Sequence, residues 1–408
     1  VVLELTGGLP EPRRATLSTI RHPATSEVLD RGLVLWFPAP NSFTGEDIAE
    51  FHVHGGRASV AGLLGLLGEA EGLRLAEAGE FTRRAFESGK MDLAQTEALA
   101  DLIDAETAAQ RRQALRGLQD GIGRKAEEWR ERLIEALALA EAEIDFPDEG
   151  DVPQGVVARA AGIASDLLQE IKNSLAASGG ERLRDGAVVV IAGPPNAGKS
   201  TFVNRVAKRD VAIVSPHPGT TRDMIEVALD LGGYPVTLID TAGIRATDDP
   251  IEQEALRRAK EKAGQADLVL WFQDASGSVE PDAQDVPAGV SEWRVVNKVD
   301  LATEAVQSVK HAISAHTGEG VDQLLADLRE WLKTELAPAE AALVTRARHR
   351  DALQNARHHL DLAVSPDIAP EFMAEELRLS AKALGRISGK VDVEAVLNAI
   401  FGSFCIGK

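Results

Sequence analysis

The chain has 408 residues, more than one hydrophobic core usually serves, so two or three domains are expected. Its 64 acidic and 44 basic residues give a formal net charge of −20, which disfavours a broad nucleic-acid-binding face; an RNA substrate would need positive surface from a local patch or a partner. Aromatic residues make up only 4%, so the cores must be built from Leu, Ile, Val and Ala, and the single cysteine excludes an intrachain disulfide. With no apolar span of about 18 residues and no signal peptide, the expected location is the reducing cytoplasm, away from any membrane. The abrupt start at Val1 leads us to expect a native segment upstream of it.

In chain order, residues 33–54 hold two short apolar runs around a Pro/Asn/Ser/Gly turn region, the pattern of strands flanking a loop. Gly55-Gly56 introduces a helix at 59–67, and residues 1–88 together read as a small α+β domain. From 93 to 144 apolar residues recur at three and four, which predicts amphipathic helix; Asp145-Phe146-Pro147 interrupts it and the period resumes over Val156–Ala176. Gly179-Gly180 is read as the end of that helix, and 89–184 as the first part of a helical domain. Residues 187–192, AVVVIA, suit a central buried strand, with further strand candidates at 224–229, 235–239, 268–272 and 293–296. Helical patterns at 251–263 and 321–332 alternate with them, so 185–337 reads as a mostly parallel, three-layer α/β domain. Helices at 350–362 and 371–384 and a terminal FCIGK fill 338–408. Helical sequence on both sides implies that the α/β unit is inserted into a helical domain, which requires its two ends to lie close together.

Gly193-Pro-Pro-Asn-Ala-Gly198-Lys199-Ser200 fits GxxxxGK[ST] between a buried strand and a helix. Gly198 and the N–H groups of Asn196 to Thr201 can wrap phosphate, Lys199 should reach the β and γ phosphates, and Ser200 should ligate Mg²⁺. Asp240-Thr-Ala-Gly243 follows an apolar strand; Asp240 suits a magnesium-bound water and Gly243 an N–H toward the γ-phosphate. Asn297-Lys298-Val-Asp300 follows another strand. Asp300 can accept the guanine N1–H and amine hydrogen bonds, and adenine would leave that carboxylate unpaired. Lys298 is placed over the base, Asn297 ties the loop, and Ser314-Ala315-His316 is the closing base-contact loop. Thr221, in GTTRD, is either a second magnesium hydroxyl or a turn threonine.

Ile244 stands where a water-positioning glutamine is usual, so another polar group must serve. Glu252 is the nearest candidate, although Asp249, Pro250 and Glu252 also make a helix-capping arrangement that needs no chemistry. In the first domain, the Asn41 to Asp47 loop and His54-Gly55-Gly56 could clasp a planar polar ligand or be ordinary turns. Arg83 could bind a carboxylate or face solvent, and Cys405, close to Lys408, is either a reactive thiol or a small buried residue.

The motifs PNSFTGED, HGG, GEFTRRAF, IDFPDE, GPPNAGKS, GTTRD, DTAGIR, NKVD and FCIGK together resemble the MnmE (TrmE) family of tRNA-modification GTPases over practically the whole chain. The resemblance implies an N-terminal tetrahydrofolate-binding and dimerisation domain, an all-α helical domain, and an inserted Ras-like P-loop G domain. It implies GTP/GDP, Mg²⁺, K⁺ and a 5-formyl- or 5,10-methylene-tetrahydrofolate as ligands, with Asn196 and the Ser215, His217 and Thr220 region around K⁺. It makes Glu252 the water-orienting residue, Cys405 the cysteine needed for modification, and His54, Gly55, Gly56, Arg83 and Lys408 candidate folate contacts. It also implies a homodimer that assembles with the FAD-carrying MnmG (GidA) into a heterotetrameric or larger complex to aminomethylate or carboxymethylaminomethylate C5 of the tRNA wobble uridine. The alternative is a GTP-operated scaffold in ribosome assembly or stress signalling.

Overall fold

The computed structural model describes residues 1–145, 155–177, 179–209, 211–213, 226–240, 264, 266–275, 290–302, 309–391, 397 and 400–401. They form two compact units, one of residues 1–100 with 385–408 and one of residues 101–384.

In the first unit, β1 (Thr16–Arg21), β2 (Val28–Phe37) and β3 (Ile48–His52) form an antiparallel sheet in that order. Helices α1 (Val2–Thr6) and α2 (Arg57–Glu69) contribute Leu5, Leu63 and Leu66 to a small core with the fully buried Ile20. β2 and β3 lie where the sequence predicts strands. β1 was not expected, because TLSTIR carries only one buried apolar side chain and its pairing with Val28–Val34 makes it a strand. Just before α3 (Glu80–Glu87), Gly79 adopts φ 67°, and a Cβ there would press on the Phe401 backbone, so the returning C-terminal segment is seated against this turn.

The long helical stretch, which begins in the first unit and continues through the second, is not one helix. It divides into α4 (Leu93–Asp104), α5 (Ala108–Asp120) and α6 (Ile122–Asp145). Thr107 and Gln110 make a reciprocal capping box that restarts the helix, and Gly121 is the second break, where a Cβ would overlap the Gly117 carbonyl. α7 (Val156–Ala176) packs along α6. On the α6–α7 face the Glu170 carboxylate accepts from the indole of Trp129 at 2.8 Å and from Arg132 at 2.5 Å. Burial pushes this carboxyl up, but hydrogen bonds from Arg132 and Trp129 and the nearby charge of Lys125 outweigh it and hold it at about 2.

Gly179-Gly180 does more than end α7. Gly179, at φ 96°, opens the short helix α8 (Gly180–Asp185), and a Cβ on Gly180 would overlap the carbonyl of Val344. Thus the chain entering the α/β unit lies directly beneath the chain leaving it. The buried Gln113 of α5 spans both, donating to the carbonyls of Gly180 at 3.0 Å and Ala339 at 3.5 Å. This closeness of the two ends is the condition that insertion demands.

The sheet between them runs β5 (Glu226–Leu231), β6 (Tyr234–Asp240), β4 (Ala187–Ala192), β7 (Leu268–Asp274), β8 (Ser291–Asn297) and β9 (His311–Ala312), with only β5 antiparallel. β4 is central and apolar on both faces because both are covered. One face carries Val189, Ile191, Phe202 and Leu328 with α9 (Lys199–Ala207) and α10 (Val321–Leu336); the other carries Val190, Ile239 and Trp271. The β5–β6 hairpin turns on Gly232-Gly233, both left-handed, and the Gly233 carbonyl accepts from Ala109 of α5 at 3.0 Å. The segment from Asp300 to Ser314, short for a strand-helix-strand course, gives a single 3-10 turn at Val299–Leu301 and a two-residue β9; residues 303–308 lie outside the described residues. α11 (Ala347–Ala363) and α12 (Pro370–Ser388) follow, wider than the predicted runs at both ends.

Replacing Glu170 by Ala leaves the buried Trp129 N–H unpaired, and urea unfolding should show a loss of about 1–3 kcal/mol. Because folding depresses this carboxyl from 4.5 to about 2, its contribution is present above pH 4.5 and is lost as pH falls toward 2; Glu170→Gln should therefore show a shallower acid dependence than the parent.

Candidate functional site

The phosphate loop joins β4 to α9, and its backbone is left-handed at three positions. Gly193 has φ 133°, Asn196 63° and Gly198 90°. Two of these admit no side chain for a second reason: a Cβ on Gly193 would overlap the carbonyl of Phe272, and one on Gly198 the Nδ2 of Asn297. The loop is therefore moulded between β7 and the end of β8. The leading N–H groups of α9, from Lys199 through Thr201, have no partner within their own helix and open toward the loop.

Lys199 is 6% exposed, and its ammonium donates to the carbonyls of Gly193 at 2.6 Å and Pro194 at 2.9 Å. Burial pulls its pKa below the ordinary lysine value, and the charge of Asp240 opposes that. Asp240, at the end of β6 and 1% exposed, accepts from Ser200 Oγ at 2.6 Å. A carboxylate and a hydroxyl thus meet beside the lysine, two hard oxygen donors of the kind that suit Mg²⁺.

At the neighbouring strand end Asn297, also 1% exposed, donates to the carbonyl of Ala197 at 2.7 Å and accepts from the N–H of Ala315 at 2.9 Å. One side chain thereby ties the phosphate loop to the base-contact loop. Lys298 is left-handed at φ 67°, and its ammonium rests on Asp274 at 2.7 Å. Asp300 is exposed on the 3-10 turn. Ser314 is fully buried and its hydroxyl accepts from the N–H of Thr317 at 3.0 Å. From α9, Arg205 donates to the carbonyls of Ala315, at 2.6 Å, and His316.

The structure therefore gathers Asn196 to Thr201, Asp240, Asn297, Lys298, Ser314 and Ala315 at the C-terminal ends of parallel strands, where open α/β sheets bind ligands. Ser215, His217, Thr220, Thr221, Gly243, Glu252, Cys405 and Lys408 lie outside the described residues. Sequence reading missed Asp274 and Arg205. Asp274 closes the apolar run LVLWF at the ligand-binding end of the sheet, a usable signal; Arg205 has none, since its partners are over a hundred residues away.

The first-unit candidates divide differently. His54 is 80% exposed, and Asp30 accepts from its backbone N–H at 2.9 Å and pairs with its Nδ1 at 2.7 Å, so His54, Gly55 and Gly56 form an anchored loop. A separate cavity of about 410 Å³ is lined by Arg13, Phe37, Asn41, Ser42, Phe43 and Lys90 among others. Its loop is held to α3: Arg84 pairs with Glu46 at 2.6 Å, keeping that carboxyl below its usual range, and Ser88 Oγ donates to the Thr44 carbonyl at 2.5 Å. Arg83 lines another cavity, of about 400 Å³, with its guanidinium 5.0 Å from the ring centre of Phe401. Among the described residues, neither cavity includes His54 to Gly56.

A phosphate loop with its lysine, a serine–aspartate pair for Mg²⁺, and an NKxD turn locked to a second base loop define a P-loop GTPase domain. The family described as the GTP-binding protein TrmE N-terminus matches residues 2–90, and the MnmE helical domain family matches residues 93–405. The tRNA modification GTPase MnmE of Rhodopseudomonas palustris is 54% identical over 100% of this chain and 93% of its own length. Those of Bradyrhizobium sp. and Beijerinckia indica subsp. indica are 52% and 50% identical, each over 99% of this chain and over 92% and 89% of their own lengths. The chain belongs to the MnmE family of tRNA-modification GTPases.

Gly198→Ala would force Asn297 off Ala197 and strain a left-handed backbone, and titration with a fluorescent GDP analogue should show an affinity loss of about a hundredfold or more.

Proposed function

We propose that this protein is a K⁺-dependent GTPase that works with MnmG to add an aminomethyl or carboxymethylaminomethyl group to C5 of the tRNA wobble uridine. The observation that carries the nucleotide chemistry is the closed assembly of Ser200, Asp240, Lys199 and Asn297 at one end of one sheet. In this reading Lys199 exchanges the carbonyls of Gly193 and Pro194 for phosphate oxygens, a step favoured by its burial, which leaves the ammonium in want of a charge partner. Ser200 and Asp240 supply oxygen ligands to Mg²⁺, which neutralises phosphate charge when bound. Asn196, whose left-handed backbone sits at the tip of the loop, is assigned to K⁺ together with Ser215, His217 and Thr220. Thr221 is the second magnesium hydroxyl, Gly243 offers its N–H to the γ-phosphate, and Glu252 orients the attacking water. Asp300 selects guanine, helped by Lys298, Ser314 and Ala315.

The one-carbon donor is a tetrahydrofolate derivative, which supplies a carbon at the methylene oxidation level. The cavity of Arg13, Phe37, Asn41, Phe43 and Lys90 suits such a planar, acidic ligand, since it combines aromatic rings, an amide and two cations. We assign Arg83 to the carboxylate end of the ligand and Lys408 and Cys405 to the reacting end, with His54, Gly55 and Gly56 as a flanking loop anchored by Asp30. The protein acts as a homodimer on tRNA with the FAD-carrying MnmG. Among the described residues no helix is long and apolar enough to cross a membrane.

Purified protein, MnmG, a methylene-tetrahydrofolate, GTP and K⁺ should convert the wobble uridine of an unmodified tRNA, read by nucleoside mass spectrometry. GTP turnover without any modified nucleoside would replace this reading with that of a GTP-operated scaffold. Turnover in K⁺ should exceed that in Na⁺, and a folded Glu252→Ala protein should lose at least about a hundredfold in kcat. Asp300→Asn should weaken GTP by about a hundredfold, the cost of losing a charge-assisted pair of hydrogen bonds, and favour xanthosine triphosphate in competition.

A further inference from the structure

The base-contact loop is held from two sides, and only one of them belongs to the motifs that define the domain. The N–H of Ala315 is bound by Asn297 at 2.9 Å, and Asn297 in turn binds Ala197 at 2.7 Å. The carbonyl of the same residue, Ala315, accepts from Arg205 Nε at 2.6 Å, and the next carbonyl, of His316, accepts from the other arm of the same guanidinium. Arg205 projects from α9, the helix whose first turn is the phosphate site. The contacts therefore close a ring: phosphate loop, Asn297, Ala315, Arg205, and back along α9 to the phosphate loop.

We propose that Arg205 is a positioning residue for guanine binding, which fixes the Ser314 to His316 loop so that base and phosphates are held as one rigid site. A planar guanidinium is suited to this because its fork presents parallel donors to two successive carbonyls, which a lysine ammonium cannot do in one orientation. The space for it is reserved by Gly318, where a Cβ would lie 2.8 Å from the Arg205 NH1. The loop is otherwise short of anchors of its own: Ser314 bonds within the loop, to Thr317 through its hydroxyl and to Glu319 and Gly318 through its backbone. Without Arg205 the carbonyls of Ala315 and His316 turn to solvent, the loop gains freedom, and ordering it again is charged against nucleotide binding.

The inference rests on the GTPase reading of this site and is tested with the intact protein. Arg205→Met keeps most of the aliphatic stem and removes the fork; Arg205→Lys keeps the charge. Stopped-flow release of a fluorescent GDP should accelerate about tenfold in Arg205→Met and by an intermediate amount in Arg205→Lys. Inosine diphosphate, which lacks the amine read by Asp300, should weaken by the same factor as GDP, so their ratio stays unchanged. The melting temperature of the nucleotide-free protein should move by no more than about a degree, since Arg205 is only half-buried and Arg205→Met keeps its aliphatic stem. Unchanged GDP release in Arg205→Met overturns the proposal. So does a fall in nucleotide-free melting temperature that accounts for the whole affinity loss with no rescue by Lys. Parent protein that binds no GDP would instead reject the assignment of the site itself.

Discussion

The carboxamide of Asn297 is the point at which three separate stretches of chain meet. It sits at the end of β8, almost wholly buried, and spends its donor on the phosphate loop and its acceptor on the base-contact loop. A buried amide is costly to leave unpaired, so each bond enforces the other, and the two loops cannot drift apart without exposing or orphaning it. Gly198 must lack a side chain because Nδ2 occupies that volume. The glycine and the asparagine, a hundred residues apart, are thus a single steric and electrostatic solution.

The same economy governs the corner where Ser200 meets Asp240. Ser200 lies in the first turn of α9 and Asp240 at the end of β6, and the strand order places β6 beside β4, from which the loop springs. Parallel neighbours bring their C-terminal ends to one edge, so topology delivers the hydroxyl within hydrogen-bond reach of the carboxylate. Lys199 shares this enclosure with Asp240, which explains why burial and charge pull its pKa in opposite directions.

Much of this was legible in the residues. AVVVIA announces a strand covered on both faces, and GPPNAGKS that follows can only be a loop feeding a helix. The helix at Val156–Ala176 follows from its apolar period, whereas the antiparallel hairpin at Gly232-Gly233 is a finding of the structure. The failures have physical causes. β1 is amphiphilic and weak by itself, and becomes a strand by pairing with β2. The stretch from Leu93 to Asp145 keeps an apolar period through two breaks, because a capping box and a lone glycine interrupt the helix without changing its composition. Arg205 acts through partners over a hundred residues away, and periodicity says nothing about such pairs, whereas Asp274 was legible as the polar end of LVLWF but was missed. In the first unit the PNSFTGED and EFTRR segments are brought together through Glu46 and Arg84, a pairing the sequence does not announce, whereas the HGG loop is anchored elsewhere by Asp30.

The way the α/β unit is attached has a mechanical meaning. A body suspended from one strand of chain can swivel about it; one suspended from two adjoining strands resists twist. Here the strands touch at Gly180 and Val344 and are buttoned by Gln113, while Tyr234 at the foot of β6 reaches Glu340, itself gripped by Arg112 of α5. A twist applied at the foot of β6 would pass through Glu340 and Arg112 to α5.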